Sequence, residues 1–265
     1  MKKTYSIILL AVLLCVACMK QQTPTVTTEQ QRSTNTSLKT DSLVEEDSIG
    51  ERRLLIALPR NASKALRNSI LEYISETLGG TFNGKVSDKK GLMRHYMDKK
   101  RQDFHDNLIE LDSFITERPP YESDYTFSPL YETSKLTTLY CKGYEYWGGA
   151  HGSSLFYGQT FRNSDGRRIG WEVFHTDMND LIRAGLKQYF NVKTDEELKD
   201  CLLTVEYLEL LPMPQCPPLF TKEGVMFVYQ QYEIAAYAAG MPSFTVHYDI
   251  IKKHMMQTAL NLIEQ

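Results

Sequence analysis

Apolar and polar positions along the chain fall into stretches of different period. Behind Lys2 and Lys3, residues 7–14 form an unbroken apolar run that is too short to span a bilayer. It reads as the core of a secretory signal peptide over residues 1–17. From Met19 to about Gly50 the chain is Gln, Thr, Ser, Asn, Glu and Asp with hardly an apolar position, which predicts a disordered tether over residues 18–50. Residues 53–59, RLLIALP, then read as a buried strand ended by proline. Leu66, Ile70, Tyr73, Ile74 and Leu78 recur at helical spacing between an N-cap at Asn61 and a stop at Gly79-Gly80. Leu92, Tyr96, Phe104, Leu108, Leu111 and Ile115 mark one face of a second, longer helix.

After Pro119-Pro120 the period shortens to two. Strands are expected over about 123–132, 135–147 and 153–162, joined as a β-meander. The second and third meet at Gly148-Gly149-Ala150-His151-Gly152, where the glycines point to a tight corner with a histidine at its rim. Gly166 marks the next turn, and alternation through Ile169, Trp171 and Val173 extends the pattern. A helix capped by Thr176 follows, then a shorter one opened by the capping box of Thr194 and Glu197. The proline-rich segment 212–218 is a loop, residues 219–229 a hairpin turning at Lys222-Glu223-Gly224, Gly240 a further turn, and residues 244–248 a strand. A closing helix from Asp249 buries Ile250, Ile251, Met255, Ala259 and Leu262. The fold class is α+β, with helices packed on an antiparallel meander-and-hairpin sheet. The N-terminal portion, 51–130, is rich in helix, and a C-terminal domain covers 131–265.

The 265 residues are 42% hydrophobic, enough for a real core. Removing residues 1–17 takes away two of the 30 basic residues, so the net charge moves from −3 to −5, which gives no reason to expect nucleic acid as a partner. Cys15-Val16-Ala17-Cys18 resembles the lipobox of bacterial lipoproteins, with Cys15 in place of the usual leucine. That resemblance implies palmitate-type chains on Cys18 and anchoring to the membrane of a bacterial cell envelope. The tether would then hold the folded part roughly 30 Å from the lipid. Three further cysteines, Cys141, Cys201 and Cys216, belong to the mature chain. Either Cys201 and Cys216 pair, with Cys141 buried and free, or all three are buried thiols.

Candidate chemistry is sparse. Residues 79–86, GGTFNGKV, miss the nucleotide-binding P-loop by placing Val86 where a hydroxyl must bind Mg²⁺, and they follow a helix rather than a strand. Alternation on the middle strand puts Tyr140, Tyr144 and Tyr146 on one face and Leu139, Cys141 and Glu145 on the other. The tyrosine row is either core beneath a helix or a surface for stacking a ligand. Tyr144, Tyr146, Trp147, His151 and Tyr157 are the candidate ligand contacts, while Gly148, Gly149, Gly152, Gly166 and Gly240 are structural turns. His151 either locks the corner's backbone or contacts a ligand, with Glu145, Asp165, Glu172 and His175 as sequence neighbours. Glu233 either braces the structure or touches a ligand. No metal or cofactor is implied, and no catalytic motif makes the chain an enzyme.

Residues 147–152, WGGAHG, the Asp165-Gly166 turn, residues 220–224, FTKEG, and the Tyr232-Glu233-Ile234 and Tyr237-Ala238-Ala239-Gly240 segments are similar to one family. It is the domain of unknown function at the extracytoplasmic C-terminal half of the anti-sigma factor RsiV, also found ahead of some peptidoglycan deacetylase domains. The resemblance spans about residues 140–248 and implies recognition of a lysozyme-type protein or of peptidoglycan at the cell envelope, with no catalytic residue. This chain has a signal sequence and a polar tether where an anti-sigma factor needs a sigma-binding segment and a membrane-spanning helix. Three expectations follow: an envelope binding module, a hydrolase using His151 with nearby carboxylates, or a scaffold subunit of an envelope complex.

Overall fold

A computed structural model of the protein describes residues 39–111, 121–203, 208 and 211–263. The signal peptide, Cys18 and the first part of the tether lie outside these residues, as do Ile115 and Pro119-Pro120.

The chain is α+β, and two sheets carry it where one was expected. Strands β1 (Lys39–Glu46), β2 (Gly50–Leu58), β3 (Tyr121–Glu132), β4 (Leu136–Tyr146), β5 (Ser153–Arg162) and β6 (Arg168–Ile169) lie in that order in a six-stranded sheet. The expected meander is β3 to β5. β2 and β3 run parallel, because the connection between them carries the helices α1 (Lys64–Thr77) and α2 (Lys89–Leu111) and so forms a crossover. The boundary expected between residues 130 and 131 falls inside β3, and this sheet takes strands from both sides of it.

β1 corrects the tether, which cannot extend to residue 50. Its sequence has little to bury beyond Leu43, so pairing and charge hold it in place. It pairs with β2 from Lys39 to Glu46, and Asp41, Glu45 and the following Asp47 meet Lys89, Arg94 and Arg101 of α2.

α1 starts two residues later than Asn61 would place it, because Ser63 is the residue whose hydroxyl accepts from the Leu66 amide, at 3.1 Å. Its buried face is the expected one, Leu66, Ile70 and Ile74, with Leu71 added. With Leu92, Met93, Tyr96 and Met97 of α2 these residues cover one face of the sheet, over Leu54, Ile56, Phe127, Leu139, Cys141 and Phe161.

The second sheet, β7 (Leu219–Phe220), β8 (Gly224–Val228) and β9 (Ser243–His247), docks on the opposite face. The joint is built from backbone and small side chains. The buried Thr138 hydroxyl donates to the Phe220 carbonyl at 2.7 Å, and the Phe220 amide donates to the Thr160 hydroxyl at 3.1 Å. Leu219 sits over Gly158, where a Cβ would come within 2.6 Å of it. Behind this sheet lie α3 (Asn179–Phe190), α4 (Asp195–Cys201), α5 (Tyr248–Ile251) and α6 (Gln257–Ile263), which close a second core around Phe220, Phe227 and Phe244.

Three local expectations change. The alternation after Gly166 yields only the short β6 and then a 3-10 turn at Trp171–Val173, since Trp171 and Phe174 turn to pack on Phe227. Thr176 is not a cap: α3 begins at Asn179, and the Thr176 hydroxyl bonds His254 Nδ1 at 2.7 Å. The closing helix breaks at a 3-10 turn and at the bridge of Met255 to Phe174, which leaves Ile250 exposed. The capping box of Thr194 and Glu197 forms as expected.

Candidate functional site

Alternation sends Tyr140, Tyr144 and Tyr146 to the face of β4 that no helix covers. The docked second sheet closes only one end of that face. There Tyr140 lies parallel to Phe156, with ring centroids 6.0 Å apart, in a cluster with Cys216, Leu219, Val228 and Met241. Towards Tyr146 the face opens into a groove of about 550 Å³.

Strand register lays out the groove floor. One row crosses five strands as Val44, Arg53, Asp124, Tyr144 and Ser154, and the next as Glu46, Glu51, Glu122 and Tyr146. On the other side of the first, Leu55, Thr126, Lys142 and Phe156 follow one another. Arg53 reaches the Glu51 carboxylate at 3.1 Å and that of Asp124 at 3.8 Å. Burial nevertheless pushes the Asp124 carboxyl above the ordinary carboxylate range, since it outweighs the pull of Arg53. Burial also pushes the Lys142 ammonium down and the Tyr144 hydroxyl up.

The glycine corner follows β4 beyond Tyr146 and meets the groove through Gly152, which lies against Tyr144. Gly148 and Gly149 take positive φ of 85° and 97°, as expected of turn glycines, and the Tyr146 hydroxyl donates to the Gly149 carbonyl at 3.0 Å. Gly152 serves differently: a Cβ there would run into the Tyr144 hydroxyl. Gly166 and Gly240 also take positive φ. His151 is exposed, with Nδ1 3.0 Å from the Gly152 carbonyl and its ring 4.0 Å from that of Tyr237. Tyr232 continues this aromatic ladder in a left-handed backbone conformation, φ 63°, that bulky residues rarely adopt.

The candidate ligand contacts therefore divide. Tyr144 lines the groove, Tyr146 shares its sheet face in the next row and His151 stacks on Tyr237 in the corner beyond, whereas Trp147 and Tyr157 belong to the helix-covered face. The Trp147 ring packs on Phe104 and Tyr121 beneath the Lys100 ammonium, and its Nε1 donates to Glu145 at 2.8 Å. Glu145 accepts from Lys100 at 2.6 Å and Tyr125 at 2.8 Å as well. Tyr157 packs against the core under α1 and α2. These two rings are corrected to structural residues, because period-two alternation puts them on the wrong side of the sheet.

No acid-base pair forms around His151 among the described residues. Asp165 is held by Arg162 at 2.6 Å, which draws its carboxyl down to about 2, and Glu172 lies 3.6 Å from Arg167. Asp165 sits in the turn beyond the far end of the ten-residue β5, about 30 Å from the corner, and Glu172 lies after β6, which pairs with the same end of β5. The His175 amide is bound to the His254 carbonyl. No group of three His, Cys, Asp or Glu able to hold a metal occurs among the described residues. The Cys201–Cys216 disulfide is corrected too: all three described cysteines are free, Cys201 bonded to Glu197 within its own helix turn and Cys216 buried in the Tyr140 cluster.

Sequence reasoning passed over the two side chains that attach the corner region to the second sheet. Gln231 accepts from the Ser154 amide at 3.1 Å and Gln230 from the Phe156 amide at 3.2 Å, which satisfies the free edge of β5. Glu233 steadies this connection, accepting from the Gln215 and Gln230 amides, each at 2.7 Å. It is a brace. The signal was a pair of glutamines beside the Tyr-Glu-Ile motif, which nothing local distinguishes from solvated polar residues.

The segment that ends at this brace and β9 has known relatives. Residues 173–249 match the model of DUF3298, a protein family of unknown function. The match contains the Phe220 to Gly224 and Tyr232 to Gly240 motifs, while the Gly148 to Gly152 corner precedes it. The chain is similar to the crystal structure of a DUF3298 family member from Bacteroides fragilis, at 21% identity and a TM-score of 0.61, over 84% of this chain and 96% of that one. It is similar also to a DUF3298 family protein from Pseudomonas aeruginosa, at 12% identity and a TM-score of 0.56, over 86% and 98%. Both likenesses speak to the fold. A comparison with curated proteins found no match. No helix among the described residues is long and apolar enough to cross a membrane.

Proposed function

We propose that the protein is a binding module of the bacterial cell envelope, exported, anchored through lipid on Cys18, and taking a glycan strand of peptidoglycan in the groove of its larger sheet. The observation that carries this reading is the open half of the sheet face. Tyr144 offers a ring for a sugar to stack on, and Asp124, Glu51, Thr126 and Ser154 supply hydrogen-bond partners along a groove of about 550 Å³. Concavity suits a slender polysaccharide better than a globular protein.

The test is retention of the purified mature domain by insoluble peptidoglycan at protein concentrations on the order of 10 µM. Tyr144→Ala should lower retention about tenfold, as expected for loss of a stacking ring. Failure of the wild-type domain to be retained would remove the reading. A second reading, a lysozyme-type protein with a basic surface, is favoured by the row of Glu46, Glu51 and Glu122 at the groove's edge. Co-precipitation with lysozyme that is lost on Glu51→Gln with Glu122→Gln, without retention by peptidoglycan, would replace the first reading by the second.

A further inference from the structure

We propose that Lys142 is the anion-recognising residue of the groove and that the glycan bound there carries a carboxylate. This rests on the groove being the glycan site.

Five charged side chains line the groove, and four of them are accounted for. Glu51 and Asp124 face Arg53, and Glu122 is exposed to water. Lys142 differs. It is half-buried, and among the described residues no carboxylate comes within 4 Å of its ammonium. Its cross-strand neighbours are Thr126 and Phe156, both uncharged. The ammonium lies over the buried Tyr140 ring, 5.8 Å from its centroid. Burial alone pushes this amine below its usual range, with no acid countering it. A cation on a partly apolar floor is incompletely solvated, and an arriving anion interacts with it more strongly than with a lysine in open water.

Placement gives the anion a context. Tyr140, Lys142 and Tyr144 alternate along β4 on one face, so ring, ammonium and ring follow at about 7 Å intervals. That is the scale of one sugar ring and its substituent. A sugar stacked on Tyr144 would direct a carboxylate towards Lys142, whereas an uncharged sugar would leave the ammonium as it is.

Among glycans that carry such a group are chains with a peptide-free lactyl ether carboxylate on muramic residues and chains of uronic acids. Three probes separate the possibilities by titration calorimetry on the mature protein: an N-acetylglucosamine hexamer, peptide-free glycan chains of peptidoglycan, and oligogalacturonate. At least one acidic probe should bind about tenfold more tightly than the neutral hexamer, the scale of one charge-assisted contact. Lys142→Gln should remove that preference while leaving the neutral probe within about twofold, and Lys142→Arg should keep it. Which acidic probe shows the preference identifies the sugar. Equal binding of neutral and acidic chains, or a preference that survives Lys142→Gln, overturns the inference and leaves the groove reading standing. Binding of none of the three probes removes the groove reading and the inference with it.

Discussion

The two ends of one sheet face make an instructive pair. At Thr138 and Tyr140 the face is sealed by β7, with threonine hydroxyls bonded to backbone and Gly158 making room for Leu219. A few residues along the same strands, at Lys142 and Tyr144, the same face holds charges on an open floor. Local sequence has the same period at both ends. The difference is whether a second element docks, and the docked end can be packed tightly because its chemistry is small and matched, while the open end keeps partly desolvated charges that packing alone would not favour.

That contrast can be tested at the joint first. Gly158→Ala should cost about 2–3 kcal/mol in urea unfolding, because the new methyl meets Leu219 and overpacks a closed interface. Adding Leu219→Ala should recover part of that cost, which shows as non-additivity in the double-mutant cycle. Full additivity would mean that the two residues do not meet. Thr138→Val should have a smaller effect, about 1–2 kcal/mol, by leaving the buried Phe220 carbonyl without its donor.

The open end should behave in the opposite sense. The folded-state pKa of Asp124 is raised by burial, so its ionisation opposes folding once the pH climbs above the ordinary value of 3.8. Below that pH the group is protonated in both states and has no such effect. Asp124→Asn should therefore melt at a slightly higher temperature than the wild type at pH 7, and the advantage should vanish as the pH falls through 3.8. A variant less stable at pH 7 would show that the Arg53 contact outweighs the burial, and would weaken the view that this end is kept open at the expense of stability.

Much of the architecture was legible along the chain because it is local. The meander strands, the buried faces of α1 and α2, the Thr194 capping box and the positive-φ glycines at the corner each follow from a few neighbouring residues. Misreadings came where distant contacts overrule local pattern. β1 looked like tether because its stabilising partners are β2 and the basic side of α2. The alternating run after Gly166 turned because Phe227 captures Trp171 and Phe174. Of the candidate site, the tyrosine alternation was readable, whereas the charged half of the groove was not.

Residue order settled which face each tyrosine takes, since side chains alternate along any strand whatever it pairs with. It could not settle which face would be covered. That depended on the parallel pairing of β2 with β3, which brings Glu51 and Arg53 beside Glu122 and Asp124 across some seventy residues of chain, and on the docking of β7 against Thr138 and Thr160. Both are non-local encounters whose register is chosen by packing between elements, so a strand's own sequence carries no trace of them.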